Sequence, residues 1–325
     1  MASASTSVPE ARVPSSPRAS VSTRLFSGDG ITLAVVFLAA ATIIAITLLL
    51  VIELWINSAA SREKFGFAFL ATSVWDPANG EFGALPFIFG TVVTSALSLI
   101  IAVPFGLGAA IFLAELAPPK VSDTMTFLIE LLAAVPSVIF GLIGIFVLLP
   151  ALNTVVPFLK NHLGSMGLFS GPFYGPSILT AGVVLSVMIA PYIISVSREV
   201  LLAVPRDLRE AALALGATRW ETTWQVVVPY ARTGIFGSVF LALARALGET
   251  MAVTMVIGNS PRIVASLLAP GYSIASVIAN EFSEATGNLY TSALIELALV
   301  LFALTIVLNG AARLLISATT KRRKK

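Results

Sequence analysis

Long apolar blocks alternate with short polar stretches along this chain; single apolar and polar residues do not alternate within them. A helix needs about 20 apolar residues to cross the hydrocarbon region of a bilayer. Six blocks approach or exceed that length: 31–52, 87–113, 127–149, 178–194, 235–257 and 293–316. They predict an all-α membrane protein with six transmembrane helices, because a helix satisfies its own backbone where no water can. Pro104, Pro136 and Pro191 fall inside these blocks and predict kinks or breaks, each freeing a carbonyl for a neighbouring helix or an aqueous path to satisfy. Residues 1–28 are rich in Ser, Ala and Pro with no periodic apolar face, which predicts a disordered tail. The first block exceeds the core of a signal peptide and has no small-residue cleavage site after it, so it is expected to remain as the first helix.

Composition agrees with the pattern: 57% of residues are hydrophobic and only 11% charged, far from the averages of soluble domains. The formal charge of +3 does not indicate a nucleic-acid partner, because the basic residues sit at block ends with no aromatic-basic platform. They set orientation instead. Three lie in the N-terminal tail, one at Lys120, five between Arg198 and Arg232, and six from Arg313 onward. The opposite loops hold only Arg62, Lys64, Lys160 and Arg262, so both termini are expected in the cytoplasm, with a basic tail over 321–325. The absence of cysteine excludes disulfides, thiolate catalysis and cysteine metal sites. His162, the lone histidine, is expected in a surface loop and builds no metal site by itself. No GxxxxGK[ST], GxGxxG, HExxH or GxSxG pattern is present, so neither a phosphate-cradling ATP site nor a familiar catalytic centre is expected.

The cytoplasmic loop over 198–232 carries the most informative local pattern. From Pro205 to Leu215 the residues are strong helix formers, and Gly216 stands where a helix ends. Thr218 and Glu221 have capping-box spacing, Trp220 and Trp224 share a face, and Pro229 should stop or bend the next helix. Ala211 and Ala212 offer a small surface beside the corner, suited to a partner's groove. The competing reading is a helix lying on lipid headgroups with both tryptophans as anchors.

Arg245 and Glu249 lie near the middle of the fifth block. An arginine at that depth costs about 2.5–3.5 kcal/mol on insertion scales, so it should face protein or water. Four residues apart, the two share a helical face with Ser238, Ala242 and Ala252, a stripe able to line a narrow passage. One reading is a structural ion pair, although Arg before Glu is the less favourable order. The other is an anion site in which the guanidinium forks onto oxyanion oxygens and the carboxylate accepts from an oxygen that still carries a proton. Phosphate carries one near neutral pH; sulfate does not. Thr254, Asn259, Arg262 and Glu296 have no assigned role, and Glu296, in the first outer turn of the sixth span, is accounted for by interfacial solvation.

Glu210-Ala211-Ala212, Gly216 three residues later, and Val226-Val227-Val228-Pro229 after nine more resemble the EAA loop of ABC-importer permeases, with Val226 and Val228 in place of Ile and Leu. The run from Arg245 to Asn259 resembles the corresponding helix of the PstC family of phosphate-importer permeases. The likeness covers residues 87–316. It implies a type I, MetI-like permease fold in a bacterial inner membrane, with phosphate translocation at Arg245 and Glu249 and ATPase coupling through Glu210, Ala211, Ala212, Gly216 and Pro229. It also implies a PstA-like second permease, two PstB-like ATPases that bind ATP and Mg, and an external PstS-like binding protein. The chain itself would then be a non-catalytic subunit without a cofactor. A PstA-type, molybdate or sulfate permease stays open, since these share the loop. A secondary anion transporter also stays open, although such a protein needs no docking loop of this spacing and no inverted repeat is evident.

Overall fold

The computed structural model describes residues 28–164 and 167–321, so the expected disordered tail and most of the basic end lie outside the described residues. The chain divides into two compact units, Met1–Glu53 and Leu54–Lys325. The described part of the first is helix α1 (Gly28–Asn57), which continues into the second unit. Six helices are long and apolar enough to cross a membrane: Thr32–Asn57, Leu85–Leu116, Ser137–His162, Ile178–Leu202, Arg219–Gly248 and Asn288–Leu314.

In the second unit the short helices α2 (Ala59–Phe65) and α3 (Ala68–Ala71) precede α4 (Leu85–Ile111), which carries Pro86 in its first turn. Proline is tolerated there because that N–H has no helical partner in any case. Helix α5 (Pro119–Ala133) follows, then α6 (Ser137–Ile143) and α7 (Leu149–Leu163). The third span therefore differs from the expected 127–149: the apolar run breaks at Val135–Pro136, since the residue before a proline is driven out of helical geometry. Helix α8 (Ile178–Leu202) starts on Ser177, whose hydroxyl accepts from the Thr180 N–H at 3.2 Å. Then come α9 (Arg206–Ala214), α10 (Arg219–Thr222), α11 (Val228–Gly248), α12 (Met251–Val256), α13 (Ile274–Glu281) and α14 (Asn288–Lys321).

Three wide turns of π-helix, Phe112–Leu116, Gly144–Leu148 and Thr223–Val227, stand just before Pro118, Pro150 and Pro229. Proline lacks the N–H and collides with the carbonyl four residues back; at Pro150 and Pro229 the helix continues through a single widened turn, whereas before Pro118 it ends at Ala117. Of the two outcomes expected at Pro229, a stop or a bend, the helix does not stop; the chain passes through a widened turn from α10 into α11.

Helix α8 is the centre of the second unit. Two-thirds of its apolar window is buried (67%), against 33% or less for the other spans of that unit. It packs most extensively on α4 and next on α11. The middle layer joins Ala102 of α4, Val184, Leu185 and Ile189 of α8, Ala242 and Ala246 of α11, and Val253 of α12. At one end, Phe82, Phe87, Tyr272 and Leu294 form an aromatic-rich layer with Trp75 and Tyr290. At the other end, Ala110, Ile111, Leu201, Val204, Val227 and Ala231 close the bundle beside α9. The interior also holds small hydroxyls, including Ser197 and Ser238, whose oxygens lie 2.7 Å apart across α8 and α11. Such pairs let helices approach closely while satisfying polar groups away from water.

Candidate functional site

The coupling loop is built as its residues dictate. Helix α9 is followed by Gly216 at φ +90°, a left-handed conformation that glycine adopts without steric cost. Thr218 and Glu221 form the reciprocal cap: the Thr218 hydroxyl accepts from the Glu221 N–H at 3.2 Å, and Glu221 Oε2 accepts from the Thr218 N–H at 2.8 Å. Trp220 and Trp224 stand edge to face with ring centroids 5.6 Å apart, and both are exposed. No residue of α9 is buried. Glu210, Ala211 and Gly216 are exposed and Ala212 is half-buried, so the small surface beside the corner faces outward.

The intramembrane pair has a different geometry from the one expected. The helix breaks at Glu249 and Thr250, separating α11 from α12 within the expected 235–257 span. Helix α12 packs closely on Gly141 of α6 and on Gly144 just after it, where a Cβ would meet Met255 Sδ at 2.5 Å and Val256 Cγ1 at 2.8 Å respectively. Arg245 and Glu249 therefore do not share a continuous helical face, and they form no ion pair. Glu249 Oε1 instead accepts from the Ala252 N–H at 3.2 Å, satisfying a donor at the start of α12. Arg245 lies with its guanidinium carbon 4.5 Å from the ring centre of Tyr192 on α8, and its Nε is buried with no hydrogen-bond partner. Ser238, Ala242 and Ala252 are fully buried, so the expected stripe belongs to the packed interior of this chain and lines no passage in it. The exposed positions beside Arg245 are Leu241, Gly248 and Met251.

The unassigned polar residues also find places. Asn259 sits at φ +50° and donates from Nδ2 to the Thr254 carbonyl at 3.1 Å, closing the end of α12, while Thr254 donates to the Thr250 carbonyl at 2.7 Å. Arg262 is exposed. Glu296 is not solvated at an interface as expected: α14 begins at Asn288, so Glu296 lies two turns in, buried, with Oε2 unpartnered. His162 is in the last turn of α7 and not in a loop, exposed, with Nδ1 2.9 Å from the Phe158 carbonyl. The sequence reading missed Tyr192, for which aromatic character four helical turns along α8 gave no signal. It also missed the half-buried ion pair of Arg209 with Glu115, although a carboxylate amid apolar residues at the end of the second block was a visible anomaly.

Residues 102–321 match the family described as "Binding-protein-dependent transport system inner membrane component". The "Phosphate transport system permease protein PstC" of Mesorhizobium japonicum is 48% identical over 281 residues, covering 84% of this chain and 86% of that protein. The chain belongs to the PstC family of transport permeases. It is a multi-pass membrane protein of that inner membrane component family, and its second unit carries the type I permease fold. That fold recurs in a bacterial alginate ABC transporter, solved with its alginate-bound periplasmic protein (TM-score 0.57, 18% identity, 89% of this chain and 96% of that one). It recurs again in the inward-facing MetNI methionine ABC transporter (TM-score 0.51, 19% identity, 71% and 94%).

Proposed function

We propose that this chain is one of two permease subunits of an ATP-driven importer of inorganic phosphate, and that Arg245 is the group that meets the anion. The observation that carries the reading is a guanidinium within a membrane-spanning helix whose Nε is buried and unbonded, held only against the face of Tyr192. A buried donor left unsatisfied costs about 1–3 kcal/mol; an arriving oxyanion removes that cost and adds charge-assisted hydrogen bonds. Glu249, four residues on, keeps one oxygen uncommitted after capping α12. A carboxylate there repels a fully ionised dianion and accepts from a protonated oxygen, which favours phosphate over sulfate.

The PstC relationship supports a complete assembly with a PstA-like second permease, two PstB-like ATPases holding ATP and Mg, and a PstS-like binding protein on the opposite side. The exposed face of α9, with Glu210, Ala211, Ala212 and Gly216, is the surface offered to the ATPase, and Pro229 sets the start of α11 behind it. The excess of basic residues around α9 and both termini supports a cytoplasmic position for that side. ATP binding then has to favour one packing of the two permeases over another, since equal affinity for both would shift nothing. Phosphate uptake and sulfate discrimination measured in Arg245→Ala and Glu249→Gln test the reading. Arg245→Ala should weaken apparent phosphate affinity roughly 10- to 150-fold, that is by about 1.5–3 kcal/mol. Glu249→Gln should admit sulfate. Unchanged uptake and selectivity in both would refute the assignment.

A further inference from the structure

Helix α9 buries no residue of its own, yet one side chain ties it into the bundle. Arg209 donates from Nη2 to Glu115 Oε1 at 2.7 Å and from Nε to Glu115 Oε2 at 3.2 Å, a two-pronged pair in which the side chains are only 19% and 10% exposed. Its Nη2 also donates to the Leu201 carbonyl at 2.8 Å, and its Nη1 to the Val204 carbonyl. Glu115 stands in the wide turn that ends α4; Leu201 is in the last turn of α8 and Val204 lies just past its end. A single planar guanidinium therefore joins α9 to the ends of the two most extensively packed helices of the unit. Apolar contacts among Ala110, Ile111, Leu201, Val204 and Val227 lie in the same layer, so the tie is anchored to packed structure and not to loops. The other ion pairs among the described residues are looser: Arg198 reaches Asp123 at 3.9 Å and Glu199 at 3.4 Å, and both carboxylates are largely exposed.

We infer that Arg209 and Glu115 form a strut that transmits displacement of α9 to α4 and α8, and so set how much phosphate is moved per ATP hydrolysed. The inference rests on the reading that α9 docks an ATPase subunit. With the strut in place, α9 cannot shift without carrying both helix ends or breaking a two-pronged, half-buried pair. Without it, α9 can pivot between Pro205 and the glycine corner at Gly216, and the motion is lost before it reaches the bundle. Only a guanidinium has enough donors in one plane for a carboxylate and two carbonyls; a lysine ammonium keeps the charge but not the fork. Both are positioning residues, acting on transport through the helices they join.

The test is the complete importer in proteoliposomes, supplied with its binding protein and inorganic phosphate, comparing phosphate uptake and ATP hydrolysis for the unaltered chain, Glu115→Gln and Arg209→Lys. Both variants should co-purify with the ATPase as the unaltered chain does and continue to hydrolyse ATP. Their uptake per ATP should fall about tenfold, within the range that residues along a coupling route exert. An unchanged ratio in both would overturn the strut. So would loss of the ATPase from the Glu115→Gln complex, because the pair would then be part of the docking scaffold. Glu210→Ala, on the exposed side of the same helix, separates the two readings: it should weaken ATPase retention, which Glu115→Gln and Arg209→Lys should leave unchanged. Full retention in that variant would count against docking through α9 itself.

Discussion

Two arginines, Arg209 on α9 and Arg245 in the last turn of α11, face opposite circumstances. Arg209 has a carboxylate in bidentate geometry and two backbone carbonyls, so its donors are spent within the chain. Arg245 has the face of one aromatic ring and a buried Nε with nothing to bond. Both are partly buried and both are arginine; what separates them is whether the fold completes their hydrogen bonding. A guanidinium that the fold completes works as a structural tie. One that the fold leaves incomplete is prepared for a ligand, and its cost in the empty state is recovered when an anion arrives.

The sharpest way to break this comparison is to remove each arginine and follow unfolding of the purified complex. Arg209→Ala strands Glu115 in a poorly solvated position together with two carbonyls, and should cost about 3–5 kcal/mol, read as a clearly lowered unfolding midpoint. A small loss there would mean that the pair is not a buried tie. A smaller effect is expected at Tyr192. Tyr192→Leu removes the ring that holds Arg245 and should weaken phosphate uptake by about 1 kcal/mol, whereas Tyr192→Phe keeps the ring face and should transport nearly as the unaltered chain does. Equal losses in the two would move the importance from the ring to the hydroxyl, which lies 3.4 Å from the Ala133 carbonyl. The smallest effect is expected on the stability of Arg245→Ala without phosphate, within about 1 kcal/mol of the unaltered chain in either direction, because an unsatisfied donor is lost along with a ring contact.

The six spans were legible because each is an unbroken run long enough to reach across the hydrocarbon region, a signal that tertiary context cannot easily hide. The loop was legible for a different reason. Gly216 and the Thr218–Glu221 cap are local devices whose geometry depends on residues within one turn. What the chain did not reveal depends on contacts far along it. The third span begins after Pro136 and not before, a break that the rule for residues preceding proline could have located. The division of α11 from α12 has a weaker local mark, Gly248, the last residue of α11. Beyond the break, α12 is packed against Gly141 and Gly144, more than 100 residues earlier in the chain. With the helix divided, Arg245 and Glu249, adjacent on an idealised helix, end up with separate partners, and Ser238 turns toward Ser197 on α8.

Because the chain has no cysteine, one can be introduced without background. Gly248 is exposed, three residues from Arg245, and a Cβ there meets no atom within 4 Å. The most direct test of the central claim is the alkylation rate of Gly248→Cys in the assembled importer, with and without phosphate, in the presence of Arg245 and again in the Arg245→Ala background. Phosphate should slow alkylation when Arg245 is present, sulfate should slow it much less, and both effects should vanish in Arg245→Ala. Protection by phosphate that survives the loss of Arg245 would show that the anion is held elsewhere.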